Sequence, residues 1–145
     1  AGERGPLLLV AHSAGVMMVT HWAQALATGA VPRPRIKGAL LAAPADVESA
    51  FPAGYPMTDT LQEHGWLPIP RTPLPFPSLL AASRNDPLCA FARAHGLAQA
   101  WGSELVDLGE VGHLNPAAGF GEWPQAETFI REIEGREAAP AVRAA

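Results

Sequence analysis

The stretch Leu8-Leu9-Val10-Ala11-His12-Ser13-Ala14-Gly15 sets a serine among the small residues that a sharp strand-to-helix turn requires. Ser13 occupies the serine position of the G-x-S-x-G nucleophile elbow, with Ala11 in place of the first glycine. We expect bulky side chains two positions before or after the serine to collide with the crossing backbone. The pattern predicts a serine nucleophile, with the Ala14 amide placed to donate to an oxyanion. The alternative is an ordinary turn with Ser13 as a helix N-cap.

Two further residues suited to nucleophilic catalysis follow along the chain. Asp86 lies in the segment Ser-Arg-Asn-Asp-Pro, and His113 ends the segment Gly-Glu-Val-Gly-His. The order Ser, Asp, His is that of α/β-hydrolases, and each residue follows a predicted strand. Open α/β sheets build their sites at the carboxyl ends of strands, so we expect a Ser13-Asp86-His113 triad. A turn-forming Asn-Asp-Pro and a surface-loop histidine are the structural alternatives.

Other acids compete for the role of orienting the histidine. Asp46 also follows a predicted strand and could instead cap the segment after it. Asp107 lies within a strand, and Glu110 is only three residues before His113. Asp86 is the preferred acid, and Asp46 is the main alternative.

The remaining reactive or aromatic side chains have plainer interpretations. His12 is expected to pack beside the elbow rather than to transfer a proton. Cys89 is interpreted as a small buried group. Trp66 and Phe76 are expected to be packing residues, with the lining of an acyl pocket as the functional alternative. The other histidines show no metal-ligand spacing, so we expect no metal site; they are His21, His64 and His95.

Four short apolar runs resemble buried parallel strands that could position these residues. They cover residues 7–11, 36–42, 77–82 and 104–108. Helical patterns separate and follow them, and they cover residues 16–28, 90–101 and 125–134. The alternation predicts an α/β layer fold with a parallel sheet and right-handed crossovers.

One α/β domain is expected over residues 1–137. A Pro-rich insert at about 44–77 excludes a long helix, leaves room for a short one at about 58–64, and is predicted to form a lid over Ser13. Residues 138–145 show no pattern and are predicted to be a disordered tail.

The composition excludes several classes of protein. The chain has 145 residues, of which 48% are hydrophobic, and its net charge is −4, which argues against disorder and against nucleic-acid binding. The single cysteine excludes an internal disulfide framework and is typical of a reducing compartment. The apolar runs are too short to span a membrane, and the first residues lack a signal-peptide pattern.

Several segments of the sequence carry a family resemblance, namely Val10–Gly15 with His21–Ala23, Ala42–Glu48, Leu74–Ser78, Ala82–Pro87 and Gly112–Asn115. Together they resemble the small serine hydrolases related to YdeN and retinoblastoma-binding protein nine. The resemblance covers about Pro6 to Trp123 and implies a three-layer α/β-hydrolase fold with helices on both faces of the sheet. It also implies the Ser13-Asp86-His113 triad, a cytoplasmic location and no cofactor.

The sequence departs from this family in two places. Ala14 stands where leucine is common, which is tolerable because the backbone amide is the functional group. Family members carry a longer segment before the elbow, with two strands and a loop that supplies a second oxyanion donor. We therefore expect an N-terminally incomplete member whose elbow strand lies at a sheet edge. Loss of one oxyanion donor costs on the order of 10²–10³ in rate, so we expect the isolated chain to be weakly active or inactive.

Two functions follow from these observations. The first is a serine hydrolase that cleaves ester or related acyl bonds of a small-molecule substrate. The second is a non-catalytic binding or interaction module on the same fold, with the exposed sheet edge as the surface for a partner or for self-association.

Overall fold

The structure, a computed structural model, describes residues 5–136, so the tail predicted for residues 138–145 lies outside the described residues. Each strand and helix expected from the sequence is confirmed, with ends that differ by a few residues. In chain order the elements are β1 (Leu7–Ser13), α1 (Ala14–Ala27), β2 (Ile36–Pro44), α2 (Thr58–Glu63), β3 (Ser78–Ala82), α3 (Phe91–Trp101), β4 (Glu104–Asp107) and α4 (Gln125–Gly135).

The four strands form a single parallel sheet in the order β1-β2-β3-β4. Because all strands run the same way, their carboxyl ends share one edge of the sheet and their amino ends share the opposite edge. Within residues 5–136, β1 pairs only with β2 and forms a free edge of the sheet. Leu7 and Val10 on this strand are 50% and 57% exposed.

Helices cover both faces of the sheet, which gives three layers. Leu41 and Leu80 pack with α1 and α3 in the larger of two apolar clusters. Leu40 and Leu79, one position away on the same strands, pack against α4 in the smaller cluster. This alternation explains why β2 and β3 have almost continuous apolar sequences, since each is buried on both faces.

Helix α4 approaches β2 at Gly38. A Cβ atom built on this glycine would collide with the Ile133 side chain and would lie 2.9 Å from the Pro77 carbonyl oxygen. Gly38 therefore allows the close packing of helix on strand.

The Pro-rich segment between β2 and β3 packs into the helical layer over much of its length. Leu61, Ile69 and Phe76 are buried in the larger apolar cluster. The Trp101 indole Nε1 donates to the carbonyl oxygen of Pro70 at 2.7 Å, which ties the segment to the end of α3. A lid over Ser13 stays a prediction. No helix in the part of the chain described here is long and apolar enough to cross a membrane.

Candidate active site

The turn from β1 into α1 holds Ser13 in an unusual backbone conformation. Its φ is 58° and its ψ is −124°, a combination that costs energy in a residue with a side chain. The Ser13 hydroxyl makes no capping hydrogen bond to α1, so the N-cap alternative does not describe it. Helix α1 begins at Ala14, which places the Ala14 amide at the positive end of the helix dipole.

The residues that flank the elbow are close, but they do not collide. A Cβ atom built on Gly15 would lie 3.8 Å from the Cβ of Ala11, which is ordinary van der Waals contact. The turn therefore accepts a methyl group at position 15. That side chains larger than alanine would collide at this turn stays a prediction.

Ser13, His113 and Asp86 meet at the carboxyl edge of the sheet, at the ends of three different strands. The Ser13 hydroxyl lies 2.7 Å from His113 Nε2, and His113 Nδ1 lies 2.9 Å from each oxygen of the Asp86 carboxylate. The His113 and Asp86 side chains are 5% and 2% exposed. An ionised carboxylate can only accept, so His113 Nδ1 donates its proton to Asp86 and Nε2 is free to accept from Ser13.

Local turns position the two partners of Ser13. The backbone N–H of Leu88, two residues after Asp86, donates to Asp86 Oδ1 at 2.8 Å and so fixes the orientation of the carboxylate. His113 lies between Gly112 and Leu114, whose φ angles are 57° and 50°. A Cβ on Gly112 would lie 2.7 Å from the Cβ of Ala118, so this sharp turn requires glycine.

The main alternative acid is engaged elsewhere. Asp46 is buried after β2, and its carboxylate accepts from Arg93 Nε at 2.7 Å, from Arg93 Nη2 at 2.9 Å and from Ser49 Oγ at 2.6 Å. Burial raises the pKa of Asp46, but the hydrogen bonds from Arg93 and Ser49 outweigh it and hold that pKa below its ordinary value. Asp46 is therefore a structural carboxylate that stays ionised beside a permanent cation.

The other rival acids are also accounted for. Asp107, at the end of β4, accepts from the Arg84 guanidinium, and this hydrogen bond lowers the pKa of Asp107. Glu110 is exposed on the loop that leads to His113. Among the described residues, no group of three His, Cys, Asp or Glu side chains comes together as a metal site.

Cys89 is 4% exposed, and burial raises the pKa of its thiol to about 12. A thiol with this pKa carries almost no thiolate at neutral pH, so Cys89 is not an activated nucleophile.

The two aromatic residues suggested for an acyl pocket lie away from Ser13. Phe76 comes just before β3 and is therefore at the amino edge of the sheet, where it lines a cavity with Pro6 and Arg35. Packing accounts for Phe76, because the whole length of the strands separates it from the carboxyl edge. The carbonyl oxygen of Trp66 lies 3.2 Å from His21 Nε2, and His21 is eight residues into α1, about 12 Å along the helix from Ser13. An acyl-pocket role for Trp66 stays a prediction.

Three polar side chains near the triad were given no catalytic role by the sequence. Ser83 Oγ accepts from the Val111 N–H at 3.1 Å, and Asn85 Oδ1 accepts from the Gly112 N–H at 2.7 Å. His12 Nε2 lies 2.8 Å from the carbonyl oxygen of His113. The signal that could have identified them is their position, since each lies within three residues of Ser13 or Asp86, after or at the end of a strand.

Comparison with known proteins gives a family and a fold. The profile of a family described as Serine hydrolase matches residues 1–132. Among solved structures, a YdeN-like hydrolase from Pectobacterium atrosepticum is 36% identical, with a TM-score of 0.68 over 89% of this chain. The chain spans 60% of the length of that structure. No curated protein is significantly similar in sequence to the chain.

Two more solved structures share the fold at lower identity. The ydeN gene product from B. subtilis is 19% identical with a TM-score of 0.61, and the match covers 89% of this chain and 66% of that one. Est1E from Butyrivibrio proteoclasticus, solved with ferulic acid bound, is 12% identical with a TM-score of 0.58 over 90% of this chain and 57% of its own. Together with the parallel sheet and its two helical layers, these likenesses confirm the α/β-hydrolase-type fold.

Proposed function

The chain belongs to the serine hydrolase family, and on that premise we propose that it hydrolyses ester or related acyl bonds through an acyl-enzyme formed on Ser13. The observation that carries the proposal is the continuous hydrogen-bonded series from Ser13 Oγ through the His113 ring to the Asp86 carboxylate. A carboxylesterase-like activity on a small-molecule substrate is the simplest use of this arrangement.

In the first half of the reaction, His113 Nε2 takes the hydroxyl proton as Ser13 Oγ forms a bond to the substrate carbonyl carbon. The Asp86 carboxylate stabilises the imidazolium and keeps the ring in the correct tautomer. The Ala14 N–H, at the start of α1, donates to the oxyanion that develops on the carbonyl oxygen. When the intermediate collapses, the bond to the leaving group breaks, and the leaving group takes the proton from His113 Nε2.

In the second half, a water molecule replaces the leaving group. His113 Nε2 accepts a proton from the water as the water oxygen attacks the acyl carbon. The bond from that carbon to Ser13 Oγ then breaks, and His113 returns the proton to the serine. The acid is released and the starting protonation of the triad is restored.

Fluorophosphonate labelling tests the nucleophile. We expect the probe to modify the wild-type chain and to leave Ser13→Ala unmodified, with the adduct located on Ser13 by mass spectrometry. Ser103→Ala is a matched control, because Ser103 Oγ is also hydrogen-bonded, to Ser78 Oγ at 2.6 Å, but lies at the amino edge of the sheet. Labelling that persists in Ser13→Ala would show that the assignment is wrong.

The free edge at β1 supports a second candidate function, that of an interaction module. Leu7 and Val10 are exposed there, and an unpaired strand edge can add a strand from another chain. In this case the chain self-associates through β1 and is not labelled by the fluorophosphonate. Sedimentation separates the two candidates, since a labelled, active monomer supports the hydrolase and an unlabelled dimer supports the module. For either function we propose a cytoplasmic location, supported by the single, unpaired Cys89.

A further inference from the structure

His12 reaches from β1 to the loop that carries His113. Its Nε2 atom lies 2.8 Å from the carbonyl oxygen of His113, and the two ring centroids are 5.0 Å apart. A carbonyl oxygen can only accept, so His12 Nε2 carries a proton and donates it in this hydrogen bond. The residue next to the nucleophile in sequence therefore holds the backbone of the general base.

The backbone on both sides of His113 is bent and is held by side chains. Leu114, which follows it, has a φ of 50°, a left-handed conformation that costs energy for a residue other than glycine. The peptide between Val111 and Gly112 is held by Asn85 Oδ1, which accepts from the Gly112 N–H at 2.7 Å. The peptide after His113 is held by His12. These two contacts fix the backbone from which the imidazole projects.

We propose that His12 is a positioning residue, which holds the carbonyl of His113 and thereby keeps Nε2 of that residue within proton-transfer distance of Ser13. This inference rests on the proposed hydrolase function of the triad. Its physical basis is the steep dependence of catalysis on alignment, since a misplacement of about 1 Å can cost on the order of 10²-fold in rate. His12 is itself exposed, so we expect loss of its side chain to cost little in global stability.

Three substitutions separate the contribution of the His12 hydrogen-bond donor from that of its aromatic ring. His12→Phe keeps an aromatic ring but removes the donor, and His12→Gln returns an N–H donor at a similar distance from the backbone. His21→Phe is the matched control, because His21 Nε2 also lies near a backbone carbonyl oxygen, that of Trp66 at 3.2 Å, but away from the triad.

With an activated aryl ester, we expect kcat of His12→Phe to fall about five- to tenfold with little change in KM, the size of one lost neutral hydrogen bond. His12→Gln is expected to recover most of this loss, and His21→Phe to show none. A rate in His12→Phe equal to that of the wild type overturns the proposal.

A double-mutant cycle shows whether His12 acts through His113. In the background of His113→Ala the base is absent, so the further change His12→Phe is expected to have no effect on the residual rate. If His12→Phe lowers the rate by the same factor in both backgrounds, His12 acts on something other than His113, and the proposal is wrong.

Proton NMR of the full chain reports on the position of the His113 ring and requires no turnover. The Nδ1–H of His113, shielded from water beside Asp86, is expected to give a slowly exchanging downfield signal. We expect this signal to broaden or shift in His12→Phe and to return in His12→Gln. A signal that is unchanged in His12→Phe overturns the positioning role. A wild-type chain that shows the signal but neither turnover nor labelling contradicts the proposed hydrolase instead, so the two failures are distinguishable.

Discussion

Two buried aspartates lie in similar loops at the carboxyl edge of the sheet, Asp46 after β2 and Asp86 after β3. Each accepts the backbone N–H of the residue two positions later, Glu48 at 3.2 Å and Leu88 at 2.8 Å. Their side chains are 1% and 2% exposed. The loops are joined directly, because the N–H of Asp46 donates to the carbonyl oxygen of Leu88 at 2.9 Å. Local structure therefore does not distinguish these two acids.

Their remaining partners do distinguish them. Asp46 binds the Arg93 guanidinium, a permanent cation, so its charge is compensated in every state of the protein. Asp86 faces the His113 ring, which under the proposed function becomes a cation when it takes the proton of Ser13. Two similar loops therefore hold carboxylates with different roles. Asp46 stabilises the fold at all times, whereas under the proposed function Asp86 mainly stabilises the transition state.

The largest effect is expected from a substitution of Asp86. In Asp86→Asn the amide can donate to His113 Nδ1, which favours the tautomer with the proton on Nε2 and removes the base. By analogy with the same change in a serine protease triad, we expect kcat for an aryl ester to fall by roughly 10⁴-fold. Chemical unfolding of the variant is expected to change far less than its rate. A loss of less than tenfold would assign the acid elsewhere.

The matching change at Asp46 is expected to lower stability and to leave the catalytic rate almost unchanged. Asp46→Asn removes the charge that compensates Arg93, and we expect the free energy of unfolding to fall by about 2 kcal/mol. A fully buried pair would cost more, but the Arg93 side chain is 40% exposed and water can solvate it again. Urea unfolding measures the loss, and kcat per folded molecule is expected to stay within about threefold of wild type. A large loss of kcat with unchanged stability would contradict the assignment.

The pH dependence of stability tests the same carboxylate. The pKa of Asp46 in the folded chain lies below its ordinary value of 3.8, because hydrogen bonds from Arg93 and Ser49 outweigh the opposing effect of burial. A depressed pKa gives stability that is complete above the unfolded pKa and is lost as the pH falls through the folded pKa. The advantage of wild type over Asp46→Asn in urea unfolding is therefore expected to be constant near neutral pH and to shrink below about pH 4. An advantage that grows on acidification would contradict this sign.

The strands and the helices could be predicted from the sequence because each depends on local pattern. The sequence favours Asp86 but leaves Asp46 open as the main alternative, because the partner that engages Asp46 is Arg93 on α3, 47 residues away. The pocket suggestion for Phe76 could have been excluded, however. In a parallel sheet, a residue directly before a strand lies at the amino edge, away from any site at the carboxyl edge. The contact of His12 with His113 spans 101 residues and has no local signal.

The smallest expected effect is that of Ser49→Ala, which separates the contribution of the Ser49 hydroxyl to Asp46 from that of Arg93. Its Oδ2 atom accepts from Ser49 Oγ at 2.6 Å and from Arg93 Nε at 2.7 Å, so the two donors share one oxygen. Ser49 is exposed and neutral, and after Ser49→Ala water can take its place. We therefore expect the free energy of unfolding to fall by only about 0.5–1 kcal/mol, with the kcat of wild type. If Ser49→Ala destabilises the chain as much as Asp46→Asn, then the hydroxyl, and not the guanidinium, is what makes Asp46 differ from Asp86.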